Sequence, residues 1–218
     1  MSRETKIVYG MGAMALLLVA AYLVLWKIST ARLAVHAGRD TPEIKRLVDR
    51  DIELVDANGT ARRFSDLEGK VWLVSHVFTR CPGQCSGVCA ALDEVVGEVA
   101  GGESVHFVSV SLDPVHDRPR QLREFSQKHD LVRDNWWFVT GDAPALNRYM
   151  KEVFWLSAQE RPEADRNNVN DLFIHDPRVV LVDHRMRIRG WYDPFNPASA
   201  RELGKALKAA VTAADNSS

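Results

Sequence analysis

Cys81 and Cys85 are separated by Pro82, Gly83 and Gln84, directly after the apolar run VWLVSHVFTR. Thiols four residues apart share one face of a helix or sit at its N-terminal lip, close enough to clamp one soft metal ion or to close a disulfide. A dithiol redox motif usually has two intervening residues rather than three. Helix N-terminal amides, or a bound cation, lower thiol pKa values and make thiolates available near neutral pH. Cys89 lies one turn further on, so Cys81, Cys85 and Cys89 read i, i+4, i+8. It is either a small apolar residue of a buried helix face or a third thiol that resolves a disulfide or offers another ligand.

The flanking pattern says what must hold these sulfurs. Residues 51–64 alternate with Asn58-Gly59 at a turn, a hairpin signal. Ser65 to Glu68 reads as a capping box for a short helical turn that Gly69 closes. Lys70 to Phe78 is apolar on both faces, as in a central strand of a covered sheet, and Ser86 to Val99 carries its valines and Leu92 at helical spacing. Strands are predicted at 105–112, 136–140, 179–182 and 188–192, and helices at 118–130, 143–154 and 199–213. The polar stretch 157–171 reads as an exposed insertion. Strand–helix alternation closed by an antiparallel hairpin and a helix describes an α/β thioredoxin-like sandwich.

Ile7 to Trp26 is twenty residues without a charge, the length of a transmembrane helix, with Tyr9, Tyr22 and Trp26 toward its ends. No small-residue cleavage site follows, so an uncleaved anchor is expected rather than a signal peptide. The expected organisation is a tail over 1–6, an anchor over 7–28, a linker over 29–50, the thioredoxin-like domain over 51–213 and a tail over 214–218. Charges flank the span on both sides, but a six-residue tail is easily retained inside. The expected location is a bacterial inner membrane, single-pass, with the domain on the periplasmic or extracytoplasmic side. Three cysteines suit such a compartment without forming a disulfide scaffold. A formal charge of −1 with no long basic run argues against nucleic acid as a partner.

The chain resembles the Sco/SenC proteins, copper-binding assembly factors of cytochrome c oxidase. The resemblance rests on Phe78-Thr79-x-Cys81-Pro82-x-x-Cys85, on Ser111-Leu112-Asp113-Pro114 followed by Asp117-x-Pro119, and on His175 before the last hairpin. It implies a metal site of Cys81, Cys85 and His175, with His175 brought over the cysteine lip by a polar loop. Two thiolates and one imidazole suit Cu(I), and imidazole also accepts Cu(II). The same donors would satisfy Zn²⁺ with one open position, and copper is preferred here through the family. The implied partners are the copper-bearing subunit of an oxidase or other copper chaperones. Gly83, Ser86 and Ile174 depart from common family sequences and remove negative charge near the site.

Two functions follow from these residues. One is a membrane-anchored metallochaperone that is not an enzyme in the ordinary sense. The other is an extracytoplasmic thiol–disulfide oxidoreductase that keeps recipient cysteines reduced, using Cys81 and Cys85 as its redox pair. A thiol peroxidase lacks a convincing arginine or threonine pairing around one thiol. Asp113 is read as either a ligand-orienting carboxylate or a turn residue before Pro114. His76 is read as a packed strand residue, and His106, His116, His129 and His184 as structural or surface residues. Arg185, Arg187 and Arg189 read as a solvated strand edge or a docking face for an acidic partner. Trp136-Trp137 reads as core and rim of one strand.

Overall fold

The computed structural model describes residues 51–217 except Pro82, 101–103 and Val169. The expected tail, anchor and linker over 1–50 lie outside the described residues. Among the described residues no helix is long and apolar enough to cross a membrane.

The strands are β1 (Leu54–Asp56), β2 (Ala61–Arg62), β3 (Val71–Val77), β4 (Val105–Ser111), β5 (Trp136–Gly141), β6 (Ala158–Glu160), β7 (Phe173–His175), β8 (Val179–Val182) and β9 (Ile188–Tyr192). Among the described residues four α-helices accompany them: α1 (Gln84–Ala100), α2 (Pro119–Lys128), α3 (Ala143–Glu152) and α4 (Pro197–Asp215). Seven strands form one sheet in the order β2-β1-β5-β4-β3-β8-β9. Strands β3, β4 and β5 run parallel, and β1, β8 and β9 join antiparallel. This is the predicted α/β sandwich.

Strand β3 is the centre of the arrangement because both of its faces are covered. Val71, Leu73 and Val77 enter one core with Val88, Cys89 and Leu92 of α1, Leu122 of α2 and Leu203 and Leu207 of α4. Trp72 and Val74 point to the other side, among Phe64, Leu146, Tyr149, Met150 and Phe154. Successive side chains of a strand face opposite sides, so an unbroken apolar run demands two layers of helix. Phe64 stacks on Trp72 and Tyr149 at centroid distances of 5.7 and 5.1 Å. Truncating a fully buried Phe of this kind costs about 3–5 kcal/mol. Trp136 and Trp137 follow the same logic: both are buried, in opposite cores, so the expected rim position is core.

Several predicted boundaries move for local reasons. The short turn is a 3-10 helix over Phe64–Leu67, one residue earlier than expected, because the Asp66 carboxylate accepts the Arg63 amide. Asp51 fixes the same turn by accepting from the Phe64 and Ser65 amides. Helix α4 starts at Pro197 rather than Ser199 because Asn196 caps it, accepting from the Ala198 and Ser199 amides. The Ser199 hydroxyl instead accepts the Asp193 amide. The largest revision concerns 157–171. The expected exposed insertion opens with β6, which pairs antiparallel with β7 as a separate two-stranded ribbon, placing Ala158 opposite His175.

Candidate metal and thiol site

The site is assembled where β3 ends. After Phe78 the chain turns, with the Cys81 amide donating to the Phe78 carbonyl. Gly83 has φ of +151°, a conformation that side-chain-bearing residues rarely adopt, and its carbonyl accepts from the Gly87 amide and the Ser86 hydroxyl. Helix α1 begins at Gln84, two residues earlier than predicted, so Cys85 stands in its first turn and Cys81 at the lip before it. Cys81 is half-buried, whereas Cys85 and Cys89 are buried, and all three thiols are free.

The two cysteines of the motif are electrostatically unequal. The Cys85 amide points at the Cys81 sulfur, 3.3 Å away. Hydrogen bonding from the Cys85 thiol brings Cys81 down to about 4, against the opposing effect of burial and with further help from His175 and the Gly83 and Cys85 amides. Bonding to Cys81, burial and the neighbouring thiolate all push Cys85 upward. Cys81 is therefore the thiolate and Cys85 its proton-bearing partner. Burial pushes Cys89 up to about 12, and its side chain packs in the core with Val88 and Leu92. The apolar reading of Cys89 is the one this environment supports.

His175 is the last residue of β7, not a residue of an irregular loop. Its Nε2 lies 4.0 Å from the Cys85 sulfur. Its Nδ1 is 3.2 Å from the Asp176 carbonyl, which can only accept, so Nδ1 donates there and Nε2 is the ring nitrogen that faces the sulfurs. The ring meets Phe78 edge-on at 6.1 Å and His76 at 6.3 Å. Phe173 of the same strand packs against Phe78 at 5.3 Å, tying the ribbon to the strand that presents the cysteines. Thus the structure brings together the three residues singled out in the sequence. Among the described residues no group of three or more His, Cys, Asp or Glu side chains is closed tightly enough to hold an ion as it stands.

His76 is both a packed residue and a neighbour of the site. Burial, then the nearby His175, lowers it to about 4, so it is a neutral imidazole behind His175, bonded at 3.4 Å to the Leu156 carbonyl. Asp113 is a turn residue, as one of its two readings has it: its carbonyl accepts the His116 and Asp117 amides, while its carboxylate pairs with Arg80 at 2.5 Å. The carboxylate that sequence reasoning passed over is Asp117. It is fully buried and accepts from the Thr79 hydroxyl at 2.6 Å, the Thr79 amide at 3.2 Å and the Ser111 hydroxyl at 2.8 Å. Burial pushes its carboxyl up, and the Thr79 and Ser111 bonds pull it back. Asp113 and Asp117 together clamp Thr79 and Arg80, the two residues before Cys81. The Asp117-x-Pro119 motif marked the position, but its partner lies 38 residues away and no local pattern points there. The arginines of the last hairpin are partly consumed internally, since Arg187 and Arg189 pair with the buried Asp183 at 3.0 and 3.7 Å.

Comparisons with known proteins agree with this architecture. The SCO1/SenC family model matches residues 40–212. The SCO1 protein homolog of Bacillus subtilis is 37% identical over 117 residues, covering 53% of this chain and 58% of that protein, so the match spans under two thirds of the relative's length. BsSco, described as a member of the Sco family of cytochrome c oxidase assembly proteins with a disulfide switch, superposes with a TM-score of 0.62 at 24% identity, over 78% of this chain and 94% of that one. The copper-bound ScoI of Bradyrhizobium japonicum superposes with a TM-score of 0.60 at 20% identity, over 73% and 97%. At those identities the superpositions speak for the fold, and the family match speaks for descent: this chain belongs to the SCO1/SenC family.

Proposed function

We propose that this chain is a membrane-anchored copper metallochaperone that binds its cargo through Cys81, Cys85 and His175. The observation that carries the reading is the 4.0 Å approach of the His175 Nε2 to the buried sulfur of a cysteine pair whose other member has its thiol pKa brought down to about 4. Two soft sulfurs and one imidazole favour Cu(I) and tolerate Cu(II). Two donors on one ion with bonds near 2.3 and 2.0 Å stand about 3.5 Å apart, so the ribbon needs to move inward by roughly half an ångström. A half-buried Cys81 leaves cargo open to a recipient, as transfer by ligand exchange requires. Copper held by the Bradyrhizobium ScoI supports the choice of metal, and the oxidase assembly role described for BsSco supports the copper-bearing subunit of an oxidase as recipient. The charge-free segment Ile7 to Trp26 supports a single inner-membrane span with the domain outside the cytoplasm. Metal analysis of the purified chain tests the reading. About one copper per chain is expected in the wild type, and His175→Ala should give its copper up to a competing chelator that leaves the wild type loaded; equal retention in both overturns the ligand set.

A second reading has its own support. A thiolate beside a proton-bearing resolving thiol is the arrangement of a thiol–disulfide oxidoreductase. Under it, His175→Ala retains full maturation activity while Cys81→Ser abolishes it. The metallochaperone reading expects both variants to fail.

A further inference from the structure

Trp155 combines a strained backbone with an exposed side chain, so burial does not account for the strain. It follows α3 with φ of +52°, a left-handed conformation that bulky residues rarely adopt, and it is 55% exposed. Its ring lies flat on Trp191 of β9, with centroids 5.0 Å apart and planes inclined by 4°. Trp191 is fixed in turn, its Nε1 donating to the Phe154 carbonyl at 2.7 Å. An indole is thus presented to solvent on a firm base.

The helix before it carries two cations. Leu146, Tyr149 and Met150 of α3 are buried, and the stripe opposite them, at i, i+4 and i+7, is Pro144, Arg148 and Lys151, all exposed. Among the described residues neither Arg148 nor Lys151 is in an ion pair. Glu152, the one carboxylate of α3, stands at the rim of the stripe. Ile52, Leu146 and Trp191 belong to one core, and Asp51 beside Ile52 accepts the Phe64 and Ser65 amides of the same layer. The chain therefore enters the domain on the face that carries α3 and the indole stack. Residues 27–50 are all that separate Trp26 from Asp51, and fully extended they reach about 90 Å at most. A domain held that close to a bilayer meets it at an effective concentration on the order of millimolar, so a surface of modest affinity suffices to dock it.

We propose that the α3 face of the domain lies on the bilayer that anchors it, with Trp155 at headgroup level and Arg148 and Lys151 on anionic headgroups. An amphipathic indole favours the membrane–water interface, and cations beside it add attraction to anionic lipid. The other large exposed hydrophobics, Val115, Val132, Ile174 and Phe195, belong to other segments. The apolar area here is one aromatic pair, which suits a lipid interface better than the apolar centre of a protein interface. Cys85, Cys89 and the rest of the buried face of α1 belong to the opposite core, so docking on α3 turns α1 and the thiols at its start away from the lipid. The proposal rests on the reading that Ile7 to Trp26 spans a membrane.

The test uses the full-length chain in nanodiscs of phosphatidylcholine with about one third phosphatidylglycerol, with and without dibrominated acyl chains. Bromine quenches an indole in contact with it, and wild-type emission minus that of Trp155→Phe isolates Trp155. Brominated lipid is expected to remove about half or more of that difference signal. Reversing charge in Arg148→Glu with Lys151→Glu, which leaves every indole in place, should restore most of it, as should molar salt. An unquenched Trp155, the result if the stack docks a protein instead, overturns the proposal, as does quenching indifferent to the charge reversal. Wild type minus Trp26→Phe reports the anchor separately. A quenched Trp26 beside an unquenched Trp155 is failure of the docking alone, whereas an unquenched Trp26 is failure of the anchor reading.

Discussion

The two halves of the candidate site are built in different ways. The cysteine lip belongs to the interior: it leaves the central strand of the sheet, enters the first turn of a helix packed in the main core, and is clamped from behind by Asp113 and Asp117. The imidazole comes from a separate ribbon of two three-residue strands whose side chains are mostly exposed or half-exposed. That ribbon is held by its own ion pairs, Arg161 to Asp171 and Arg166 to Glu160, and it touches the core chiefly through Phe173 and His175 against Phe78. Two small strands without a buried face of their own have little independent stability. Under the proposed function, the sulfurs are the members fixed by the fold and the nitrogen is the less firmly tied, adjustable one, which suits a site that both holds and releases a cargo.

Breaking the adjustable half should have the largest effect. His175→Ala is expected to weaken copper binding about a thousandfold or more, roughly 4 kcal/mol, with little change in thermal stability. Competition titration against a Cu(I) chelator measures it. Next comes the imidazole behind it. The pKa of His76 is lower in the folded chain, about 4, than its ordinary 6.5, so the neutral form stabilises the fold. That stability is fully present above pH ~6.5 and is lost as pH falls toward 4, by about 3 kcal/mol in total. His106 shifts in the same direction, through burial and then Lys70, so denaturant titrations of His76→Leu and His106→Gln at pH 7 and pH 5 separate the two contributions.

On the fixed half, Asp117→Ala leaves the Thr79 amide and the Ser111 hydroxyl without their acceptor and should cost about 1–3 kcal/mol of stability. Asp117→Asn keeps one acceptor oxygen and should lose less; identical losses would argue against the clamp. Phe173→Ala removes a contact of the ribbon with Phe78 and should weaken copper binding by about three- to tenfold, with unfolding shifted by no more than about 1 kcal/mol. An equal effect on both would mean the ribbon and the core are one unit. The smallest effect at the metal is expected from Cys89→Ser, which should leave copper stoichiometry and spectra unchanged, since Cys89 is buried in the main core.

This contrast also explains what the sequence disclosed. The main sheet was legible because β3 is apolar on both faces and the helices carry a regular apolar stripe; the order of elements and the cysteine lip followed from that periodicity. The ribbon was not legible. Ala158, Gln159 and Glu160 bury nothing and carry no alternation, and they become a strand only because the chain that bears His175 lies beside them. Nor was the clamp: a buried carboxylate bonded to a hydroxyl 38 residues away leaves no periodic trace. Cap choices such as Asp66 over Ser65 and Asn196 over Ser199 were decided by neighbouring amides competing for a few local acceptors.

In the proposed site copper is held by both sulfurs of the core-anchored lip and by the imidazole nitrogen of the two-stranded ribbon. X-ray absorption at the copper edge of the Cu(I)-loaded full-length chain tests it most directly. Two sulfur scatterers and one imidazole nitrogen are expected in the wild type, with the nitrogen lost in His175→Ala. A sulfur-only shell in the wild type, or an unchanged shell in the variant, would contradict it.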